Sequence, residues 1–161
     1  MTLPNDLSGL YPHNDVQCVI TSFGENHTDI PQGSALLVDT RVLRNPPDDP
    51  AVRERMLRSN GLDPLVRRYV MDTPGARDLV RTHAEQALIL LAPANHERWS
   101  TRNRNRRVDI HVMCGGGRHR SVAIAEEIAT YLRAAGTGVE VDHRHIDRPI
   151  TPKPTTPGTG G

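Results

Sequence analysis

The run Cys114-Gly115-Gly116-Gly117-Arg118-His119-Arg120-Ser121 concentrates the residue types best able to do chemistry in this chain. Three consecutive glycines let a backbone turn inward and bring N–H groups close to an anion, an approach that side chains would obstruct. A helical pattern begins near Ser121, so the unpaired N–H groups and positive dipole end of that helix would face the same spot. Arg118 and Arg120 offer charge-assisted bonds, and His119 offers a third donor when protonated. The expectation is a cradle for a phosphate-bearing ligand. A tight turn with solvated arginines is the plainer alternative, but glycines alone would have served that purpose.

The same stretch places Cys114, Arg120 and Ser121 in a Cys-x5-Arg-Ser spacing, the layout of cysteine-dependent phosphatases. That chemistry needs a thiolate at the mouth of a ring of N–H groups, an arginine to grip the equatorial oxygens and a hydroxyl to help the thiolate leave. It also needs a carboxylic acid for the leaving group; Asp39 and Asp63 can be nominated, and neither has a spacing that identifies it. Cys18 and Cys114 both fall in apolar runs, where a reduced cysteine acts as a small buried hydrophobe, and two cysteines do not make a disulfide framework. The non-enzymatic reading is therefore preferred. His143 and His145 stand two apart on an alternating run and could meet zinc with Cys114 or Asp39, but a third ligand is not assured. No metal and no cofactor are expected, and these histidines should line a rim or satisfy backbone groups.

The elements that must position this loop are legible as patterns. Val16 to Phe23 and Ala35 to Val38 are short apolar strand candidates bounded by Gly24, Pro31 and Gly33. Val108 to Cys114 alternates, with Val108, Ile110, Val112 and Cys114 on one face; Val139 to His145 alternates as well. Helical stripes run through Leu62, Leu65, Val66, Tyr69 and Val70, with Asp63 as N-cap and Pro64 in the first turn. Further stripes run from Leu79 to Leu91 through His83, and from Val122 to Leu132, closed by Gly136. Strand, helix, strand from Val108 to His145 is a βαβ unit. The fold class expected is α/β: a small, mainly parallel four-stranded sheet covered by helices, in a single domain over residues 16–148. Residues 1–15 read as a flexible arm and 149–161 as a disordered Pro/Gly/Thr tail. Parallel strands would carry Ser22-Phe23-Gly24, Asp39-Thr40-Arg41, the glycine loop and His143-Arg144-His145 to one rim.

At 161 residues there is room for one domain, and with aromatics at only 3% its core must be built from Leu, Val, Ile and Ala. A net charge of +1 gives no global pull toward nucleic acid or an anionic membrane, so any basic surface is local. The local candidate is Arg102-Asn103-Arg104-Asn105-Arg106-Arg107, whose arginines could track an RNA backbone but have no interleaved aromatics for stacking. No signal peptide and no membrane-spanning run is evident, so a cytoplasmic protein with no membrane partner is expected.

Taken together, the ordered series Ser22-Phe23-Gly24, Val38-Asp39-Thr40-Arg41, Arg44-Asn45-Pro46, Gly61-Leu62-Asp63, Cys114 to Glu126 and His143-Arg144-His145 resembles the C-terminal domain of the RNase adapter RapZ family. The resemblance covers about Val16 to Arg148. It implies a regulatory module that senses an amino-sugar phosphate and contacts small regulatory RNA. It also implies that Asp39, Arg41, Ser22 and Gly24 join Gly115 to Ser121 around the ligand. The family's P-loop nucleotide-binding domain has no counterpart here, since no Walker-type sequence is present; a separate P-loop protein or a homo-oligomer are further partners it admits. Pro47-Asp48 stands where the family often has a histidine and an aromatic, and Asp147-Arg148-Pro149 stands where RNA-binding members carry a basic tail.

Overall fold

The computed structural model describes residues 16–44, 49–92 and 107–149. The expected arm and tail (Pro149 apart), Asn45 to Asp48, and Arg102, Arg104 and Arg106 lie outside the described residues. Four strands, β1 (Cys18–Gly24), β2 (Leu36–Asp39), β3 (Val108–Cys114) and β4 (Val139–His143), form one sheet in the order β2-β3-β1-β4. All three pairings are parallel, as the α/β expectation required. Four helices accompany them among the described residues: α1 (Pro50–Arg58), α2 (Pro64–Met71), α3 (Ala76–Leu91) and α4 (Arg120–Ala134).

The pattern of β3 is realised residue by residue, with Val108, Ile110, Val112 and Cys114 buried and the intervening side chains half-buried. Val108, Ile110 and Val112 meet Cys18 and Ile20 of β1, Val38 of β2, the small-residue face of α3 and α4 from Ala123 to Leu132 in one apolar core. Helix α4 is the hub. Val122 to Ala125, Ile128, Ala129 and Leu132 are fully buried, and the helix packs on β1, β3, β4, α2 and α3. Burial pushes the Cys18 thiol up to about 12, with Asp109 adding to the shift, so this cysteine remains a neutral hydrophobe.

Three expectations need correction. Leu62 precedes α2 and is exposed, because Asp63 starts the helix by accepting from the Leu65 amide at 2.9 Å. β4 ends at His143 rather than His145, since the chain turns there and the Arg144 amide donates to the Ser22 carbonyl. Helix α1 was not anticipated: it buries only Met56 and so carries almost no apolar stripe. Its start nevertheless repeats that of α2, with Asp49 accepting from the Ala51 and Val52 amides and Pro50 in the first turn.

The end of α4 fits its reading closely. Gly136 has φ +86, and the Gly136 and Thr137 amides close onto the carbonyls of Arg133 and Leu132, the Schellman pattern. Nothing lies within 4 Å of a side-chain carbon built there, so Gly136→Ala meets only backbone strain. Thermal denaturation of that variant should show a loss of about 1–2 kcal/mol with the site below undisturbed.

Candidate functional site

Parallel pairing brings the carboxyl ends of the strands to one edge, with Gly24 opposite Cys114, Ser22 opposite His143 and Asp39 opposite Met113. The chain leaving β1 runs beside the glycine loop, the Glu25 amide donating to the Cys114 carbonyl and the Asn26 amide to that of Gly115. The contact is very close. A side-chain carbon on Gly24 would stand 2.3 Å from the Gly116 carbonyl carbon, and one on Gly117 (φ +76) would stand 2.5 Å from the Gly24 nitrogen. Gly117 and Gly24 are thus steric necessities of the scaffold. Gly115 and Gly116 meet no such obstacle, and their faces are open.

Within the loop, the Gly117 amide donates to Cys114 Sγ at 3.1 Å, and Ser121 Oγ lies 3.1 Å from the same sulfur. The amides of Gly115, Gly116, Arg118, His119 and Arg120 have no acceptor among the described residues. Those of Gly115 and Gly116 lie on half-buried backbone, and that of Arg120 belongs to the first turn of a 15-residue helix. A set of open N–H groups at a helix start favours negative charge.

The loop's charged side chains do not converge. Arg118 donates from Nε to the Ser59 carbonyl at 2.9 Å and from Nη1 to that of Arg148 at 3.1 Å. Arg120 donates from Nη1 to the carbonyls of Leu43 at 2.9 Å and Arg41 at 3.4 Å. Residues 41–43 follow β2 and residue 148 follows β4, the two edge strands, so the guanidiniums reach toward opposite sides of the sheet. Their anchors are neutral carbonyls, however, and neither arginine forms an ion pair among the described residues, although the Arg120 charge helps to lower the Asp39 carboxyl. Nε and Nη2 of Arg120 have no acceptor among those residues. His119 is different again. Its Nε2 meets the carbonyls of Met56 and Ser59, and burial holds its pKa below 6.5 despite those bonds, so at neutral pH it fastens the α1–α2 connection as a neutral ring.

Around this centre the expected neighbours take up varied duties. Asp39 caps the short 3-10 turn Thr40–Val42 by accepting from the Arg41 amide, and the bend lets the Arg41 guanidinium fork back onto Asp39 and across to Glu25 at 2.7 Å. The Arg41 bonds hold the Asp39 carboxyl below its usual 3.8. The hydrogen bond from Arg55 does the same for Asp63. Neither is suited to deliver a proton to a leaving group at neutral pH. Thr40 donates to the Met113 carbonyl at 2.7 Å and fixes the turn to β3.

Ser22 Oγ lies 2.7 Å from His143 Nδ1, and His143 Nε2 lies 2.8 Å from a Glu126 carboxylate oxygen. The order serine, histidine, carboxylate suggests a hydrolase, but Ser22 is 0% exposed, and no substrate reaches it. It ties β1 to β4 and α4. His145 leaves the strand, accepts the Gly24 N–H on Nδ1 at 2.9 Å and faces Asp29 Oδ1 with Nε2 at 3.0 Å. The two histidines expected on one face are thereby parted, and among the described residues no three potential metal ligands gather. His27, Asp29 and Glu25 were missed by sequence reasoning. They sit on the connection after β1, where no spacing marks them.

The one described arginine of the basic run, Arg107, pairs with Asp109 at 2.8 Å beside a cleft of about 370 Å³ that includes Ser34, Leu36 and Val108. This cleft lies at the amino end of β2 and β3, away from the glycine loop. No helix among the described residues is long and apolar enough to cross a membrane.

A parallel α/β domain whose third strand ends in a glycine loop and helix start, with open amides between two guanidiniums anchored on backbone carbonyls, is the class that fold and site define. Comparison with known proteins specifies it: the RapZ C-terminal domain model matches residues 16–147, and the chain belongs to that family. It is 32% identical over 134 residues to proteins named RNase adapter protein RapZ from Yersinia pseudotuberculosis serotype O:1b (strain IP 31758) and Yersinia pestis bv. Antiqua (strain Angola). It is 31% identical to that of Serratia proteamaculans (strain 568). Each alignment covers 83% of this chain but 43% of the relative, so the chain spans less than half the length of the curated relatives it matches.

Proposed function

We propose that this domain is a regulatory module that captures a phosphorylated small molecule at the glycine loop without turning it over. The observation that carries this reading is the set of amides from Gly115, Gly116 and the first turn of α4 that have no acceptor among the described residues, flanked by two guanidiniums that form no ion pair among those residues. Gly115 to Ser121 form the contact surface, with Arg120 supplying Nε and Nη2, which have no acceptor among the described residues. Asp39 and Arg41 shape the rim, and their paired carboxylate and guanidinium suit a polar sugar, in keeping with an amino-sugar phosphate, while buried Ser22 and Gly24 support that rim from beneath. The relatives' name supports an adapter role toward an RNase, with structured RNA or a protein as the second partner. In this chain the RNA contact rests on Arg102, Arg104 and Arg106, because Arg107 is paired.

Thermal shift against inorganic phosphate, sugar phosphates and nucleotides tests the reading. A ligand at a hundredfold excess over its Kd should stabilise the domain by about 2.7 kcal/mol. Arg120→Ala should weaken that ligand about tenfold or more, since a charge-assisted bond is lost. No stabilisation by any of these anions sinks the proposal.

One observation favours catalysis instead: Cys114 Sγ receives the Gly117 amide and sits beside the Ser121 hydroxyl, the surroundings of a phosphatase nucleophile. Against it, the sulfur's residue is 4% exposed and both nominated acids are held ionised. Release of p-nitrophenol from p-nitrophenyl phosphate by the wild type and not by Cys114→Ser would establish catalysis and displace the non-enzymatic reading.

A further inference from the structure

The imidazole of His145 is 0% exposed and stands directly under the glycine loop. Its Nδ1 accepts the Gly24 N–H, so its ring proton is on Nε2, facing Asp29. Its Cβ lies 2.8 Å from the position a side-chain carbon on Gly117 would take. The His27 ring lies against it with centroids 4.2 Å apart, and His27 Nε2 is 3.1 Å from the Gly116 carbonyl. Gly24, Gly116 and Gly117 are therefore all braced by one imidazole and its neighbour. The brace has a defined chemical limit. An amide N–H and a protonated Nδ1 are both donors, and they cannot share a hydrogen bond.

We infer that neutral His145 is the positioning residue that holds the glycine loop in its open-amide form, and that its protonation releases the loop and switches off anion capture in mild acid. This rests on the reading of the loop as an anion site. The charged groups around the ring are few. Asp29 is the carboxylate in contact, and it is shared with Arg148 at 2.7 Å; Arg144 donates to the Asp29 backbone carbonyl, and Arg118 holds the Arg148 carbonyl from the loop side. His27 adds a second imidazole. Burial first, then His27, keeps the His145 pKa below 6.5, with Asp29 opposing. A histidine so shifted binds its proton more weakly folded than unfolded. Its contribution to stability is intact above 6.5 and is lost as pH falls from there toward the lowered value.

Sulfate is the probe, because its charge is constant across the range in which histidine titrates. Between about pH 7.5 and about pH 4.5, wild-type affinity for sulfate should stay level down to about 6.5 and then fall, approaching about tenfold per pH unit once below the lowered His145 pKa. His145→Asn retains an acceptor for the Gly24 amide but cannot protonate, and its affinity should change by less than about twofold over the same interval. Asp29→Asn keeps an acceptor for Nε2 and removes the charge that favours the imidazolium, so the wild-type midpoint should move to lower pH. That displacement is one a purely structural contact would not produce. A flat wild-type profile, a wild-type profile in His145→Asn, or an unmoved midpoint in Asp29→Asn each overturns the inference. Should sulfate and phosphate both fail to bind at neutral pH, the anion reading falls and the positioning claim is judged by nuclear magnetic resonance without ligand. The Gly24 amide signal must then follow the His145 ring titration; an unmoved signal overturns it.

Discussion

Gly24→Ala is expected to cost about 3 kcal/mol of stability and to abolish phosphate binding in the same step. The new carbon would lie 2.3 Å from the Gly116 carbonyl carbon, 2.6 Å from its oxygen and 2.6 Å from the Gly117 nitrogen. All three are backbone atoms, so no side chain can swing aside; either β1 or the glycine loop must move. Movement of the loop would also stretch the Gly24–His145 bond and the Gly117–Cys114 bond that set its shape. Gly116→Ala is the matched control, because nothing lies within 4 Å of the carbon it adds. It should leave the denaturation midpoint almost unchanged while placing a methyl where the anion would approach. Denaturant unfolding and phosphate titration of both variants check the pair. A Gly24→Ala protein as stable as the wild type would mean that β1 and the loop do not approach as described.

Ile128→Ala should produce a loss of similar or larger size by a different route. Ile128 is fully buried on α4, in the core shared with β1, β3 and α3. Truncation removes its transfer free energy and leaves a cavity that a helix packed on three strands, two helices and the Thr40–Val42 turn cannot collapse to fill. A loss of about 2–5 kcal/mol follows, visible as a lowered unfolding midpoint with an unchanged denaturant slope. The first turn of α4 lies two turns away and keeps its amides, so phosphate affinity measured well below the unfolding transition should equal that of the wild type. A large affinity change would show that site and core are not separable in this way.

What the sequence revealed depended on whether the responsible physics was local. The alternation of β3, the Asp63 cap and the left-handed Gly136 each arise within a few residues, and each is present. Helix α1 was missed because amphipathicity was sought and only Met56 is buried, although Asp49-Pro50 carried the same start signal as Asp63-Pro64. The sheet order, with β1 between β3 and β4, is set by long-range packing that no short window encodes. In the site, the glycines were legible as a close approach, but which glycines were crowded was not: Gly117 is hemmed in, whereas Gly115 and Gly116 are open. Arg118 and Arg120 read as a converging pair because residue type suggests a ligand, while their directions follow from carbonyls at Ser59, Arg148 and Leu43. His145 was read as a strand residue; its bond to Gly24 requires a turn after β4 that the alternation of valines concealed.

The carbonyl anchoring of Arg118 and Arg120 bears on how quickly a guest can arrive. On the proposed reading, an incoming anion meets cationic groups already fixed in direction and has no ion pair among the described residues to break before it docks. Encounter should therefore proceed without a bond-breaking barrier and respond to ionic strength mainly through the association rate, leaving residence time to the amides beneath.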